Sequence, residues 1–494
     1  MIKLKKFVSR TIALLFCAIA ASQCIAQSNS LTADSSLEKQ KQYLDVINSL
    51  YFFIQQNYVD EVDPQVLYEG ALKGMLGALN DPYSVYMDQS EWRGLTDTTV
   101  GEFGGVGLSI TKPNESTPEK PAYVEVASPI DDTPGARAGI QAGDLIIRID
   151  GVDTSTITME QVLGMLRGTV GESVTVTIRR RKSIEFDRVL VRAKIENPTV
   201  KYGMLENTGI GYIRISEFSQ KTADRVQEAI DSFKSAKYKG LIIDLRNNGG
   251  GLLTSAVKIA DKFIDSGVIV QTKSRLDYEN SVYYAKKSET VVKDIPVVVL
   301  VNRASASASE ILSGALKDTK KAYLIGEKTY GKGSVQIPNG LYNGDGFKIT
   351  VAKYYSPTDV NIDKVGIYPD KEIPYEEFSE SEEKAWKDLE ASGVIPAYVE
   401  DHPDMTEAQI SAYAESLRKT YALNSRIIRK LVRNQVDRTK PSRLYDLDYD
   451  NQLKGAIEVI NNPSFKTMLA KTQTLKDQAN NPPAKKDSET VDAR

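Results

Sequence analysis

Seven consecutive residues, Ile295-Pro296-Val297-Val298-Val299-Leu300-Val301, constrain this chain more than any other stretch. A run this short and this apolar reads as a buried strand. It leads into Asn302–Gln336, NRASASASEILSGALKDTKKAYLIGEKTYGKGSVQ, where Ile311, Leu312, Ala315 and Leu316 fall at helical spacing. The same order of strand and then helix recurs upstream. Gly209–Ile215 precedes Thr222–Phe233, and Gly240–Arg246 precedes Leu252–Ile264. Ala322–Ile325 and Phe347–Val351 read as further strands. Lys201–Pro374 is therefore an α/β core.

Where the apolar strand turns into its helix, Ser305, Ser307 and Ser309 alternate with Ala304, Ala306 and Ala308. A helix start carries unpaired N–H groups and a partial positive charge, which favour a developing oxyanion. Lys332 follows in Gly331-Lys332-Gly333. A serine on a helix start and a lysine in a glycine loop are the parts of a Ser–Lys hydrolase. The plainer alternatives are an N-capping serine run and an exposed lysine in a turn. Gly326–Gly333 nearly spells the phosphate-cradling GxxxxGK[ST], but Gly333 stands where Ser or Thr should be. Strand and turn follow it, so the phosphate-holding helix N-terminus is missing. Ser255-Ala256-Val257-Lys258 has the SxxK spacing without the companion S-D-N and K-T-G. Gly249-Gly250-Gly251, after the strand Gly240–Arg246, reads as a bare turn or as a loop that offers N–H groups to an oxyanion.

Composition narrows the nucleophile chemistry. The one histidine, His402, lies in the polar stretch Asp401-His402-Pro403-Asp404, and the two cysteines, Cys17 and Cys24, lie in an N-terminal apolar segment. A thiol nucleophile or a Cys/His zinc site is nearly excluded in a mature chain. A hydrolase built here needs a lysine or carboxylate base. Met1–Ala26 has a basic start (Lys3, Lys5, Lys6, Arg10) and an apolar run from Ile12 to Ala21. It reads as a secretory signal, with an apolar run too short to span a bilayer. Gln23 spoils a lipobox before Cys24, which argues against lipid anchoring. The expected location is the periplasm or cell envelope. Removing this segment's four cations takes the net charge from −3 to −7. That balance argues against a nucleic-acid partner.

Residues 35–98 are helical in pattern, with Leu44, Ile47, Leu50, Tyr51 and Ile54 at three- and four-residue steps, and Pro64 opening a second helix. Residues 376–479 are charge-rich and helical in parts, and 480–494 read as a disordered tail. Between them, 99–183 changes period. Its order of strands, with SPxxxxPGxRAGIxxGDxIxxIDG from Ser128 to Gly151, resembles a PDZ domain. Such domains capture a peptide's C-terminus as an added strand, its carboxylate held by N–H groups of a glycine-rich loop. Gly104, Gly105, Val106, Gly107 and Leu108 match that loop. Arg167, at the end of the expected PDZ helix, is a candidate gating contact or simply a cation favoured by the helix dipole.

Taken together, the chain resembles the carboxyl-terminal processing, or tail-specific, serine peptidases. The resemblance runs from about Tyr43 to Pro374. It rests on Tyr58-Val59-Asp60, Asp81-Pro82-Tyr83-Ser84, the PDZ segment, Asp244–Gly250, Ser305–Glu310 and Gly331–Gln336. It implies Ser307 as nucleophile, Lys332 as base, Gln336 as the supporting glutamine and Glu310 as an accessory. It also implies oxyanion donors from Ala308 and from Gly250 or Gly251. The implied fold is multidomain α/β: a crotonase-like peptidase core at 198–375, with an inserted PDZ domain and helical N- and C-terminal regions. The implied activity is that of a serine endopeptidase acting on protein substrates through their free C-termini, with no metal or organic cofactor. A homo-oligomer and an adaptor that delivers substrate stay open. Arg303-Ala304 stands where the family often has a glycine, and Tyr83 where a histidine is common. The rival reading is a PDZ adaptor with a dead peptidase core.

Overall fold

The computed structural model describes residues 37–482, apart from 114, 118–120, 182, 376–377, 439 and 441–442. The expected signal segment 1–26, and the expected tail from 483 onward, lie outside the described residues. The chain divides into two compact units between Tyr86 and Met87.

In the first unit, a helix over 37–57 is followed by the helix Pro64–Gly77. Asp63 starts the second helix, since its carboxylate accepts the N–H of Gln65 while Pro64 supplies a preset φ. Leu44, Ile47, Leu50 and Met75 are exposed.

The second unit is built on a six-stranded sheet. Val200–Met204 pairs antiparallel with Ile210–Ile215, and then Gly240–Asp244, Val297–Val301, Tyr323–Gly326 and Lys371–Glu372 follow in parallel. Side chains alternate across the strands. Leu241, Ile243, Val297, Val299, Val301 and Leu324 face the helices Thr222–Ser235, Leu253–Asp261 and Ala308–Asp318. Ile242, Val298, Leu300 and Ile325 pack on the opposite side, against Leu453, Ala456, Val459 and Ile460 of the helix Asn451–Ile460. Both faces are covered, so the strand Val297–Val301 carries no polar residue. The chain then returns to the first face, where Leu475 joins the core and its N–H donates to Asp318 Oδ1 at 2.6 Å. The C-terminal region, loosely placed by sequence, is thus half of the sheet's cover. Its helices Glu380–Ala391, Val394–Asp401, Glu407–Arg418 and Ser425–Val436 share a separate core. A second, antiparallel sheet holds Val268–Ser274, Ser281–Tyr284, Ser334–Gly340 and Gly346–Tyr355.

The segment expected as a PDZ domain forms an antiparallel sheet in the order Leu108–Thr111, Val124–Pro129, Leu145–Ile149, Ser173–Arg180, Ile184–Val191. It closes over Val162 and Leu166 of the helix Met159–Leu166. Residue 183 falls in the turn of the last hairpin, and the sheet continues to Val191. Glu102–Gly105 lies outside this sheet and pairs with Ala193–Glu196 in a separate two-stranded one. There Arg225, on the helix Thr222–Ser235, grips both oxygens of Glu196 at 2.7 and 2.6 Å.

Candidate active site

Ser307 lies between the strand Val297–Val301 and the helix Ala308–Asp318, with φ 54° and ψ −113°. A non-glycine residue at such angles costs roughly 1–3 kcal/mol. Its neighbours hold it there. Ser305 Oγ donates to Leu245 O at 2.8 Å, the Ala306 N–H to Asn248 O at 3.0 Å, and Ser309 Oγ to the same carbonyl at 2.9 Å. The two flanking serines of the run are thus buried tethers, and only Ser307 of the three is half-buried. A sharp turn between strand and helix that presents one serine is the geometry of a nucleophile elbow.

Glu310 joins Ser307 to Lys332. Its Oε2 accepts the N–H of Ser307 and the N–H of Lys332, each at 2.9 Å, so the two nitrogens lie within twice that distance of one another. Its Oε1 accepts the Thr329 hydroxyl at 2.5 Å and the Gly331 N–H at 2.8 Å. The Thr329 hydroxyl oxygen in turn accepts the Ile367 N–H, which orients its proton toward Glu310. Burial pushes the Glu310 carboxyl above the ordinary carboxylate range, against the pull of these four donors. On the other side, the Tyr354 hydroxyl reaches Lys332 O and, at 3.3 Å, Ser307 O. Gln336 is on the strand that leaves the lysine loop. Its amide donates to Ser334 Oγ at 2.9 Å and to its cross-strand partner Thr350 at 3.0 Å.

Of the expected oxyanion donors, Gly250 is buried against the serine. A Cβ there would stand 2.8 Å from Ser307 Cβ, 2.8 Å from Ala306 O and 3.0 Å from Ala308 N, so only glycine fits. Its N–H is already donated to Asn248 Oδ1 at 2.8 Å. Gly251 is exposed, and Ala308 opens the helix. The loop is fixed from behind by a buried charge cluster. Arg246 donates Nε and Nη2 to Asp244, Nη1 and Nη2 to Asp450, and Nη1 also to Gln452. Burial pushes the Asp244 carboxyl up, but the Arg246 guanidinium more than reverses this, leaving it below the usual range.

The PDZ-type loop lies with Arg167. Gly168 donates its N–H to Gly104 O at 3.1 Å, and the Arg167 guanidinium stacks over Phe103 at 4.6 Å. Arg167 is not a solvated helix-end cation. Its Nη1 binds Asp97 Oδ2 at 3.0 Å, on the helix Gln89–Val100 that leads into the segment. Gly107, at φ +73°, presses on Thr133, whose side chain would stand 2.2 Å from a Cβ. Among the described residues, no group of three or more His, Cys, Asp or Glu side chains could hold a metal ion.

Two curated relatives set these residues in context. The carboxy-terminal-processing protease of Bartonella bacilliformis is 38% identical over 355 residues, 71% of this chain and 79% of that protein. The carboxy-terminal processing protease CtpA of Bacillus subtilis is 34% identical over 348 residues, 70% of this chain and 71% of that one. Residues 209–373 match the model of peptidase family S41. The chain belongs to peptidase family S41. Residues 125–180 match a PDZ domain, and 12–91 the N-terminal domain of the activating protease CtpB. A solved photosystem II D1 C-terminal processing protease is 29% identical, covering 66% of this chain and 92% of that one, with a TM-score of 0.39. In this S41 peptidase, reading the sequence missed Asn248, Tyr354 and Asp450. Asn248 has a signal in the sequence, since it opens the glycine run. Tyr354 and Asp450 have none, because each reaches the site through the fold alone.

Proposed function

We propose that this S41 peptidase is an exported serine endopeptidase that grips a substrate's free C-terminus in its PDZ domain and cuts near it. Ser307 Oγ attacks the scissile carbonyl while neutral Lys332 takes its proton. The lysine then gives that proton to the leaving amine, and water hydrolyses the acyl-enzyme by the reverse relay. The Ala308 N–H and the Gly250–Gly251 turn receive the oxyanion, with Gly250 sharing an N–H now held by Asn248. Gln336 steadies the lysine side of the pair. The observation that carries this reading is Glu310, one buried carboxylate accepting from the backbones of both Ser307 and Lys332.

Support for tail capture comes from the PDZ loop. The Val106 carbonyl accepts from Gly135 N and the Gly107 carbonyl from Ile130 N, at 2.8 and 2.9 Å. In a trans peptide the N–H points opposite its carbonyl, so the N–H groups of Gly107 and Leu108 face away from that turn. Leu108–Thr111 ends its sheet and has an edge open to an added strand. Export rests on the basic and apolar pattern of Met1–Ala26. It predicts a mature N-terminus at Gln27 when the protein from the cell envelope is sequenced.

The test is mass spectrometry of fragments from a protein with an unstructured apolar tail. Wild type should cleave it, and Ser307→Ala and Lys332→Ala should each lose several orders of magnitude in kcat, about as much as the double variant. His402→Ala, an exposed ring bonded to Tyr398 O, should change nothing. Full activity in Lys332→Ala would refute the base assignment. A C-terminally amidated tail should be cut far more slowly than the free acid, and equal rates would remove the PDZ domain from substrate choice.

A further inference from the structure

A cavity of about 400 Å³ opens between the end of the central sheet and the C-terminal helices. Four cations line it: Arg246, already held by Asp244 and Asp450, and three more, Arg214 on the strand Ile210–Ile215, and Arg426 and Lys430 one turn apart on the helix Ser425–Val436. Among the described residues none of the three pairs with a carboxylate. Arg426 donates instead to Asp448 O and Asn451 Oδ1, at 3.2 and 2.9 Å. Two acids also line the cavity, but both are occupied: Asp450 holds Arg246, and Asp446 holds Arg433. Among the described residues, four cations and two acids leave the cavity wall with a net positive charge.

Part of the remaining wall is aromatic. Trp386 and Tyr449 line the cavity, and the Arg426 guanidinium lies 5.6 Å from the Tyr449 ring centroid. The Tyr449 hydroxyl is buried without a hydrogen-bond partner among the described residues. Leaving a buried hydroxyl without a partner is costly. Asn247, next to the oxyanion-side Asn248, completes the floor.

From these features we infer that the cavity is a binding site for a small organic anion with an aromatic or apolar body. Arg214, Arg426 and Lys430 hold the charged group, and Trp386 and Tyr449 pack against the body. The site is separate from the Ser307–Lys332 pair and from the PDZ groove, so it goes beyond the peptidase reading. The occupant is identified by chemistry alone, as a carboxylate, sulfonate or phosphate on a ring-sized group.

The chain has two tryptophans, Trp92 and Trp386. In a Trp92→Phe protein Trp386 is the sole indole reporter. Titration with 8-anilinonaphthalene-1-sulfonate should quench Trp386 saturably, with an affinity that falls as salt rises. Arg426→Glu/Lys430→Glu should weaken that binding about tenfold or more, because two charge-assisted contacts become repulsive. Its melting temperature should match that of the parent. If the double variant fails to fold, Lys430→Gln at an exposed position replaces it, with weakening of a few-fold expected. Unchanged affinity in the folded charge variant, or equal quenching by the uncharged N-phenyl-1-naphthylamine, would overturn the assignment.

Discussion

Glu310 reaches the backbones of Ser307, Gly331 and Lys332 as well as the Thr329 hydroxyl, and this makes its charge a geometric requirement. Both oxygens are filled by donors, so a proton on either would stand against an N–H of Ser307, Lys332 or Gly331. Glu310→Gln should therefore lower kcat about 10²-fold, since a misplacement on the order of 1 Å suffices for that. The pH dependence has opposite signs for fold and activity. The folded-state pKa of Glu310 is raised by burial, so the native protein takes up this proton before the unfolded chain does as pH falls. In that window, above the unfolded value of about 4.3, the group favours folding more while the site loses its clamp. Activity should fall with a slope that steepens from about one to about two on a log plot, while circular dichroism still reads a folded protein. A slope staying near one would count against the clamp. Ser307 and Lys332 were legible because their spacing survives in linear sequence. The clamp was not, because three of the four donors to Glu310 come from 19, 21 and 22 residues away.

At the level of elements, the loop behind the serine is held from the far side of the sheet. Asp450 is the N-cap of the helix Asn451–Ile460, where its Oδ1 accepts the Leu453 N–H at 2.9 Å, and it also binds Arg246. Asp450→Asn keeps a good cap but leaves Asp244 as the one carboxylate on Arg246, beside the Gln452 amide oxygen. Asp450 is partly solvated, so the expected loss is nearer 1–3 kcal/mol than the larger cost of breaking a fully buried pair. Urea unfolding reads that loss. Because Arg246 precedes Asn248 and Gly250, kcat should fall with KM unchanged. A rise in KM alone would mean that the helix shapes substrate binding instead. The strand-and-helix order of the core was readable from apolar runs, and the helix Asn451–Ile460 from its period. Their contact was not readable, because Arg246 and Asp450 are 204 residues apart and each looks like an ordinary surface charge in isolation.

Across the whole molecule, the peptidase core and the C-terminal region are one folding unit in energetic terms. Ile242, Val298, Leu300 and Ile325 lean on the helix Asn451–Ile460. Each such side chain is worth about 1.5–3 kcal/mol when buried, and their sum rivals a typical total stability of about 5–15 kcal/mol. A chain truncated after Tyr449 should fail to fold and should accumulate as aggregate, as judged by sedimentation. A soluble, cooperatively melting truncation product would contradict this. The PDZ segment is attached differently, through Arg167 to Asp97 and Glu196 to Arg225, charged contacts that leave its own core intact. That autonomy is why its strand order could be read from sequence alone.

Leu475 packs into the core beside the serine-bearing helix, and its N–H ties Asp318 at that helix's end. A ribosome adding about 5–20 residues per second reaches Leu475 roughly ten to thirty seconds after Ser307. For that interval the nascent chain carries Ser307 without the packing that completes the core around its helix. On the proposed serine-peptidase reading, the order of synthesis would withhold a finished core from the site of a polypeptide still being made.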